Sequence, residues 1–276
     1  MGTELEICIP KNVDFSFDKA EESIEKVFEL FEDLEQIFSR FLERSELSIL
    51  NKKREVIVSS DFSRVLQFAK NMAIETNGLF NPLISLSSIG YSTNFFDKKF
   101  EIITEKKSLN FNFKKIEINM KNNKVKLPEN AFLDLGACAK GFAVDCAVLK
   151  MDKYFKNFLI NAGGDLFARG NFHGKPWGVG ISDPDDELEI FSVIDAENIA
   201  MATSGSYRRK WSVGDENFHH IVLGKNNETL KSDLKSVTVL APTTMEADAL
   251  ATTAFLLGKE KGEQFLRKHN TIGYFI

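Results

Sequence analysis

Cysteine is scarce: the 276 residues contain three, Cys8, Cys138 and Cys146. An odd count without CxxC spacing suggests neither a disulfide framework nor a zinc site, so reduced thiols are the expectation. Cys8 follows Leu5-Glu6-Ile7, where the acidic residue and the missing apolar stretch argue against a lipoprotein acylation site. No window approaches the ~20 continuous apolar residues of a membrane-spanning helix. Met1 to Glu6 offer neither a basic nor an apolar leader region, so the chain as written is expected to be cytoplasmic, or periplasmic or membrane-anchored if a leader has been removed. Positive charge is in deficit, with 35 Lys and Arg against 40 Asp and Glu for a net charge of -5. Such a chain has no diffuse positive field, and no nucleic-acid partner is expected. The Walker pattern GxxxxGK[ST] is missing and GxGxxG does not mark the glycine turns, which removes support for a P-loop ATPase or a Rossmann dehydrogenase.

What is present is ordinary globular composition, 43% hydrophobic and 27% charged, with 25 phenylalanines mostly at helix or strand spacing. Asp18 is the expected N-cap of a helix carrying Ile24, Val27, Phe28, Phe31, Leu34, Ile37 and Phe38 on one face. Residues 40–48 read as a polar loop, and a second helix runs from Ser60 towards Gly78 as its C′ residue. Alternation predicts strands within 111–118 and 124–127, joined by an Asn122-Asn123 turn. A helix follows Gly136 as far as Met151. Further strands are predicted over 158–167, 177–181, 188–194, 199–203, 218–223 and 236–240. The last helices are a capped segment from Thr243-Thr244-Met245-Glu246 to Leu257 and a short one near 260–269. Neither repeats nor low-complexity linkers interrupt the chain, so 1–276 reads as one α+β unit with a largely antiparallel sheet and packed helices.

Within that frame, Asp248 and Thr252 lie four residues apart, on one face of the final long helix. A carboxylate and a hydroxyl aimed at one point suit a hard cation such as magnesium, with a backbone carbonyl as third donor. Equally, Asp248 can complement the helix N-terminus while Thr252 packs inward. The glycine turns at 135–141 and 161–165 allow close backbone approach to a ligand, or simply turn the chain. His219 and His220 fall on a predicted strand, one facing inward and the other outward. Residues 203–210 gather hydroxyls and cations able to hold phosphate, or form a solvated basic loop. The acidic run 183–187 lacks the glycine and closing glutamate of a calcium loop and reads as a solvated turn.

Taken in order, eight blocks resemble the FAD:protein FMN transferases, the ApbE-like flavin transferase family. They are Phe38-Ser39-Arg40-Phe41 with Ser45 to Asn51; Thr76 to Pro82; Leu133 to Asp145; Asn161-Ala162-Gly163-Gly164-Asp165; Pro176 to Ile181; Ala202 to Gly205; His220-Ile221; and Ala247 to Thr252. The resemblance implies a T-fold-like α+β architecture and Mg2+-dependent transfer of FMN from FAD to a Thr or Ser hydroxyl of an acceptor flavoprotein, with AMP released. An FAD pyrophosphatase and a non-catalytic FAD-binding protein are the alternatives. By the same resemblance, Asp248, Thr252 and the carbonyl of Ala137 hold the metal, and His220 acts with Asp248 in catalysis. The nucleotide contacts it implies are Phe80, Asn81, Pro82, Asp134, Lys140, Ala162, Gly163, Gly164, Asp165 and Ile221. Two departures stand out. Asn81-Pro82 replaces the family's Asp-Pro, and Val222-Leu223-Gly224 replaces Ile-Asp-Pro after His220-Ile221.

Overall fold

The computed structural model describes residues 3–11, 16–89, 109–186, 188–207, 210–213, 216–230 and 232–276. Its central element is a six-stranded antiparallel sheet in the order β1-β5-β6-β9-β12-β13. These strands are β1 (Leu5–Cys8), β5 (Phe158–Ala162), β6 (Asp165–Arg169), β9 (Ile199–Gly205), β12 (Ser236–Ala241) and β13 (Gly273–Phe275). A three-stranded sheet of β2 (Glu55–Ile57), β4 (Lys124–Lys126) and β3 (Glu117–Asn119), and the ribbons β7 (Trp177–Ser182) with β8 (Ile190–Ala196) and β10 (Lys210–Val213) with β11 (Glu216–His219), complete the β structure of the described residues. The α+β, mainly antiparallel class expected from the sequence is the one observed.

Helix α1 (Phe17–Phe38) buries Ala20, Val27, Leu34 and Phe38 at helical spacing. Its N-cap is Ser16, whose hydroxyl accepts the Lys19 N–H; Asp18 sits in the first turn, where its charge favours the positive helix end. The 40–48 segment is only partly loop. Ser45 caps α2 (Glu46–Lys53), accepting the Ser48 N–H at 3.0 Å, and Leu47 and Leu50 enter the core. Helix α3 (Ser60–Glu75) has Thr76 as its C-cap, so its C′ residue is Asn77 at φ +49° and not Gly78; Gly78, one further on at φ +78°, returns its N–H to the Ala73 carbonyl at 2.7 Å. The strand predicted within 111–118 is a 3-10 turn over Phe113–Lys115 that leads into β3, so Phe113 is buried under the end of α3.

Two later helices carry the site. Helix α4 (Ala139–Met151) packs on β5 and β6, and α5 (Thr244–Leu257) lies between the sheet, α4 and α6 (Lys259–Lys268). Ten residues of α5 are buried, on every side of the helix, and Asp248 is among them. Thr243 caps this helix by accepting the Glu246 N–H. Asp145 of α4 takes the Thr244 and Met245 N–H groups at 2.7 and 3.0 Å. Gly141 brings α4 against that same helix start, since a Cβ on it would overlap the Thr244 carbonyl.

Candidate active site

A cavity of about 570 Å³ opens between the first turn of α4, the face of α5 that carries Asp248 and Thr252, the β5–β6 turn and the 80–86 segment. Its size is that of a cofactor or nucleotide pocket. Of the residues singled out from the sequence, Phe80, Asn81, Pro82, Asp134, Ala137, Lys140, Gly163, Gly164, Asp165, His220, Ile221, Asp248 and Thr252 line it. Ala162 does not; it is buried on β5, behind the turn it introduces.

Asp248 does not complement its own helix terminus, because Thr243 and Asp145 already take those N–H groups. It faces Lys140, whose ammonium lies 3.2 Å from its carboxylate and also pairs with Asp165. Asp165 and Asp248, 2% and 4% exposed, are the buried carboxylates among the described residues. One ammonium therefore serves two acids shielded from water. Burial, and then the charge of Asp165, push the Asp248 carboxyl up to about 7, against the pull of Lys140 and the Gly141 N–H.

One turn along α5, the Thr252 hydroxyl shares a hydrogen bond with Ser204 of β9 at 2.9 Å. At the start of α4, the Gly141 N–H donates to Asp248 at 3.4 Å, and no backbone N–H of the described residues takes the Ala137 carbonyl. Carboxylate, hydroxyl and carbonyl line the same cavity, and oxygen donors of these kinds are the ones a hard cation takes. Among the described residues, no three His, Cys, Asp or Glu side chains gather into a metal cluster. A cation here would depend on the hydroxyl and carbonyl as well.

The histidine pair divides as its spacing implies, although β11 ends at His219 and not at 223. His219 is buried; its Nε2–H donates to the Leu230 carbonyl at 3.0 Å and its Nδ1 accepts the Ile221 N–H. Burial lowers its pKa, which agrees with the neutral ring those bonds need. His220 faces the cavity.

Asn81 accounts for one departure from the family pattern. Its amide Nδ2 donates to the Phe111 and Gly224 carbonyls at 2.8 and 2.7 Å, and its Oδ1 accepts the Leu83 N–H at 2.9 Å. A carboxylate could make neither donation. The second departure is its neighbour: a Cβ on Gly224 would overlap the Asn81 side chain. The two substitutions meet and fit each other.

Other cavity residues escaped the sequence reading as site residues. Glu4 and Glu6 enter from the sheet edge, and Arg40 and Phe41 from the exit of α1. Arg40 lies in a block of the resemblance, but its contact is with Asp134, 94 positions away, which local spacing cannot reveal. The hydroxyl-rich 203–210 segment divides: Ser204 and Tyr207 line the cavity, while Arg208 and Arg209 fall outside the described residues. The acidic run, over its described part 183–186, forms a turn in which Asp183 and Asp186 accept the N–H groups of Asp185 and Leu188.

The whole chain, residues 1–276, matches the ApbE family. The FAD:protein FMN transferase of Haemophilus influenzae is 29% identical over 272 residues, covering 93% of this chain and 79% of that protein. The FAD:protein FMN transferase of Treponema pallidum is also 29% identical, over 89% of this chain and 74% of that one. Among solved structures, the ApbE protein of Thermotoga maritima superposes with a TM-score of 0.83 at 23% identity, covering 99% of this chain and 94% of that one. The flavin transferase ApbE of Vibrio cholerae gives a TM-score of 0.82 at 23% identity, over 100% and 90%. With its full length matched and its fold shared, the chain belongs to the ApbE family.

Proposed function

We propose that this protein is an FAD:protein FMN transferase, moving FMN from FAD to a Thr or Ser hydroxyl of an acceptor flavoprotein in a Mg2+-dependent reaction that releases AMP. The observation that carries the reading is a charge imbalance. Among the described residues, five carboxylates, Glu4, Glu6, Asp134, Asp165 and Asp248, line the cavity with two basic side chains, Arg40 and Lys140, both already paired with acids. A pyrophosphate is repelled by such a lining unless a cation enters with it. Asp248, Thr252 and the Ala137 carbonyl are the groups that would hold magnesium. Bound there, it would draw charge from the phosphate oxygens as the P–O bond breaks.

The remaining work falls to the chain's own side chains. Lys140 keeps Asp165 and Asp248 from repelling each other, and so keeps both near the phosphates. The mobile-proton group is His220, which takes the proton of the acceptor hydroxyl as its oxygen bonds to the FMN phosphorus. The bond from that phosphorus to the bridging oxygen breaks, and AMP leaves with the bridging oxygen. Phe80 and Pro82, on a segment fastened by Asn81, give the flavin nucleotide an apolar wall, and the Gly163-Gly164 turn admits it close to the backbone.

Incubation with FAD and Mg2+, with and without an acceptor flavoprotein domain, tests this when AMP and acceptor mass are followed together. Transfer gives AMP and a mass gain of FMN minus water. AMP with free FMN and no adduct in any acceptor would make the protein a pyrophosphatase. FAD binding without AMP would make it a non-catalytic flavin-binding protein.

A further inference from the structure

The turn that carries the Ala137 carbonyl is clamped by residues far away in sequence. Asn51 of α2 pairs with Leu133 on both sides: the Leu133 N–H donates to Oδ1 at 2.7 Å, and Nδ2 donates to the Leu133 carbonyl at 2.8 Å. The Asp134 N–H donates to the Pro82 carbonyl at 2.9 Å. Both Asp134 carboxylate oxygens are engaged inside the protein, one by Arg40 Nη1 and the other by the Gly136 N–H, each at 2.8 Å. The Cys138 N–H then closes on the Leu135 carbonyl at 3.1 Å. The Ala137 carbonyl thus lies between two N–H groups that are tied down.

Arg40 and Asp134 are 22% and 12% exposed, so water screens their pairing weakly. The guanidinium also lies over the Phe41 ring, 4.7 Å from its centre, which fixes the plane of its fork. From this geometry we propose that Arg40 and Asp134 are positioning residues that aim the Ala137 carbonyl at the cation held by Asp248 and Thr252. Asp134 closes the turn on the Gly136 N–H, and Arg40 holds the Asp134 carboxylate in the orientation that closes it. The inference rests on the cation reading above. It gives Asp134 a different task from the nucleotide contact implied by the family resemblance.

The test is a Mn2+ titration of the full chain without FAD, by calorimetry and electron paramagnetic resonance, beside thermal melts and FAD binding. Arg40→Gln and Asp134→Ala should each weaken Mn2+ binding about 10- to 100-fold, the usual effect of losing a group that orients a ligand. Asp134→Asn should weaken it less than Asp134→Ala, because an amide oxygen still accepts the Gly136 N–H. Asp248→Asn separates the two claims. Mn2+ affinity unchanged in that variant overturns the cation reading itself. Affinity lost there but intact in Arg40→Gln and Asp134→Ala overturns the positioning role, as does weakened FAD binding with Mn2+ affinity intact. If Arg40→Gln does not fold, Arg40→Lys keeps the charge without the fork and carries the same comparison.

Discussion

The ammonium of Lys140 lies 3.2 Å from a carboxylate oxygen of Asp248 while it also pairs with Asp165. Three charges from three elements, α4, α5 and β6, thus meet where water barely reaches, and they sum to a net negative charge when all are ionised. The helix start at Gly141 makes the meeting possible, since only a residue without a Cβ lets α4 approach Thr244 this closely. A site with this excess of buried negative charge is costly for the fold and useful for capturing a cation.

That cost should be visible in the pH dependence of stability. The Asp248 carboxyl is raised from 3.8 to about 7, so between these values the folded chain keeps a proton that the unfolded chain releases. This contribution is full below about pH 4 and is lost as pH rises through about 7, at a rate of no more than roughly 1.4 kcal/mol per pH unit. Asp248→Asn cannot titrate. Without divalent cations, Tm of the wild type should fall relative to Asp248→Asn as pH is raised across that window; a pH-independent difference would contradict the assignment.

Gly141→Ala should destabilise the protein by about 1–3 kcal/mol, the scale of overpacking at a backbone contact. The added Cβ overlaps the Thr244 carbonyl, which has no side-chain freedom with which to move away. Denaturant unfolding measures the change. A variant as stable as the wild type would show that the α4–α5 contact is loose.

For Asn81→Asp, the expected cost is about 1–3 kcal/mol, as two carbonyls lose their donor and face a carboxylate. The partners are the carbonyls of Phe111 and Gly224. Restoring the family's aspartate should therefore harm this chain. Equal or higher Tm in Asn81→Asp would mean that the amide donations contribute nothing.

His220→Gln should lower FMN transfer about 10²- to 10⁴-fold, the usual contribution of a positioned base. FAD affinity should change little, because in the proposed role His220 takes a proton from the acceptor and not from FAD. Paired kinetic and binding measurements decide this; loss of FAD affinity alone would make His220 a nucleotide contact.

Much of this site is legible in the sequence, for a physical reason. Asp248 and Thr252 are four residues apart on one helix, and His219 and His220 are neighbours at a strand end, so local periodicity fixes how they face. Spacing cannot choose between a helix-terminus role and a ligand role for Asp248, because the answer depends on Asp145, about a hundred positions earlier, taking the terminal N–H groups. Arg40 and Asn51 are hidden for the same reason, since both act on Leu133 and Asp134 across more than eighty residues. Element ends are decided by single caps: Ser16 displaces Asp18 as the N-cap of α1, and Ser45 begins a helix where a polar loop is expected. The short strands β2, β10 and β13 escape notice because three or four residues carry too little alternation to register.

On the proposed reading, a divalent cation held by Asp248 makes FAD reactive. The most direct measurement is AMP release from FAD by the wild type and Asp248→Asn across a magnesium titration, with FAD binding and melting temperature recorded for both. The wild type should reach a magnesium-dependent plateau. Asp248→Asn should remain folded and bind FAD, yet stay at or below about one per cent of that plateau at every concentration, the scale of losing a preorganised charge stabiliser. Asp248→Asn reaching the wild-type rate at saturating magnesium, or a wild-type rate unaffected by removing divalent cations, would contradict the claim.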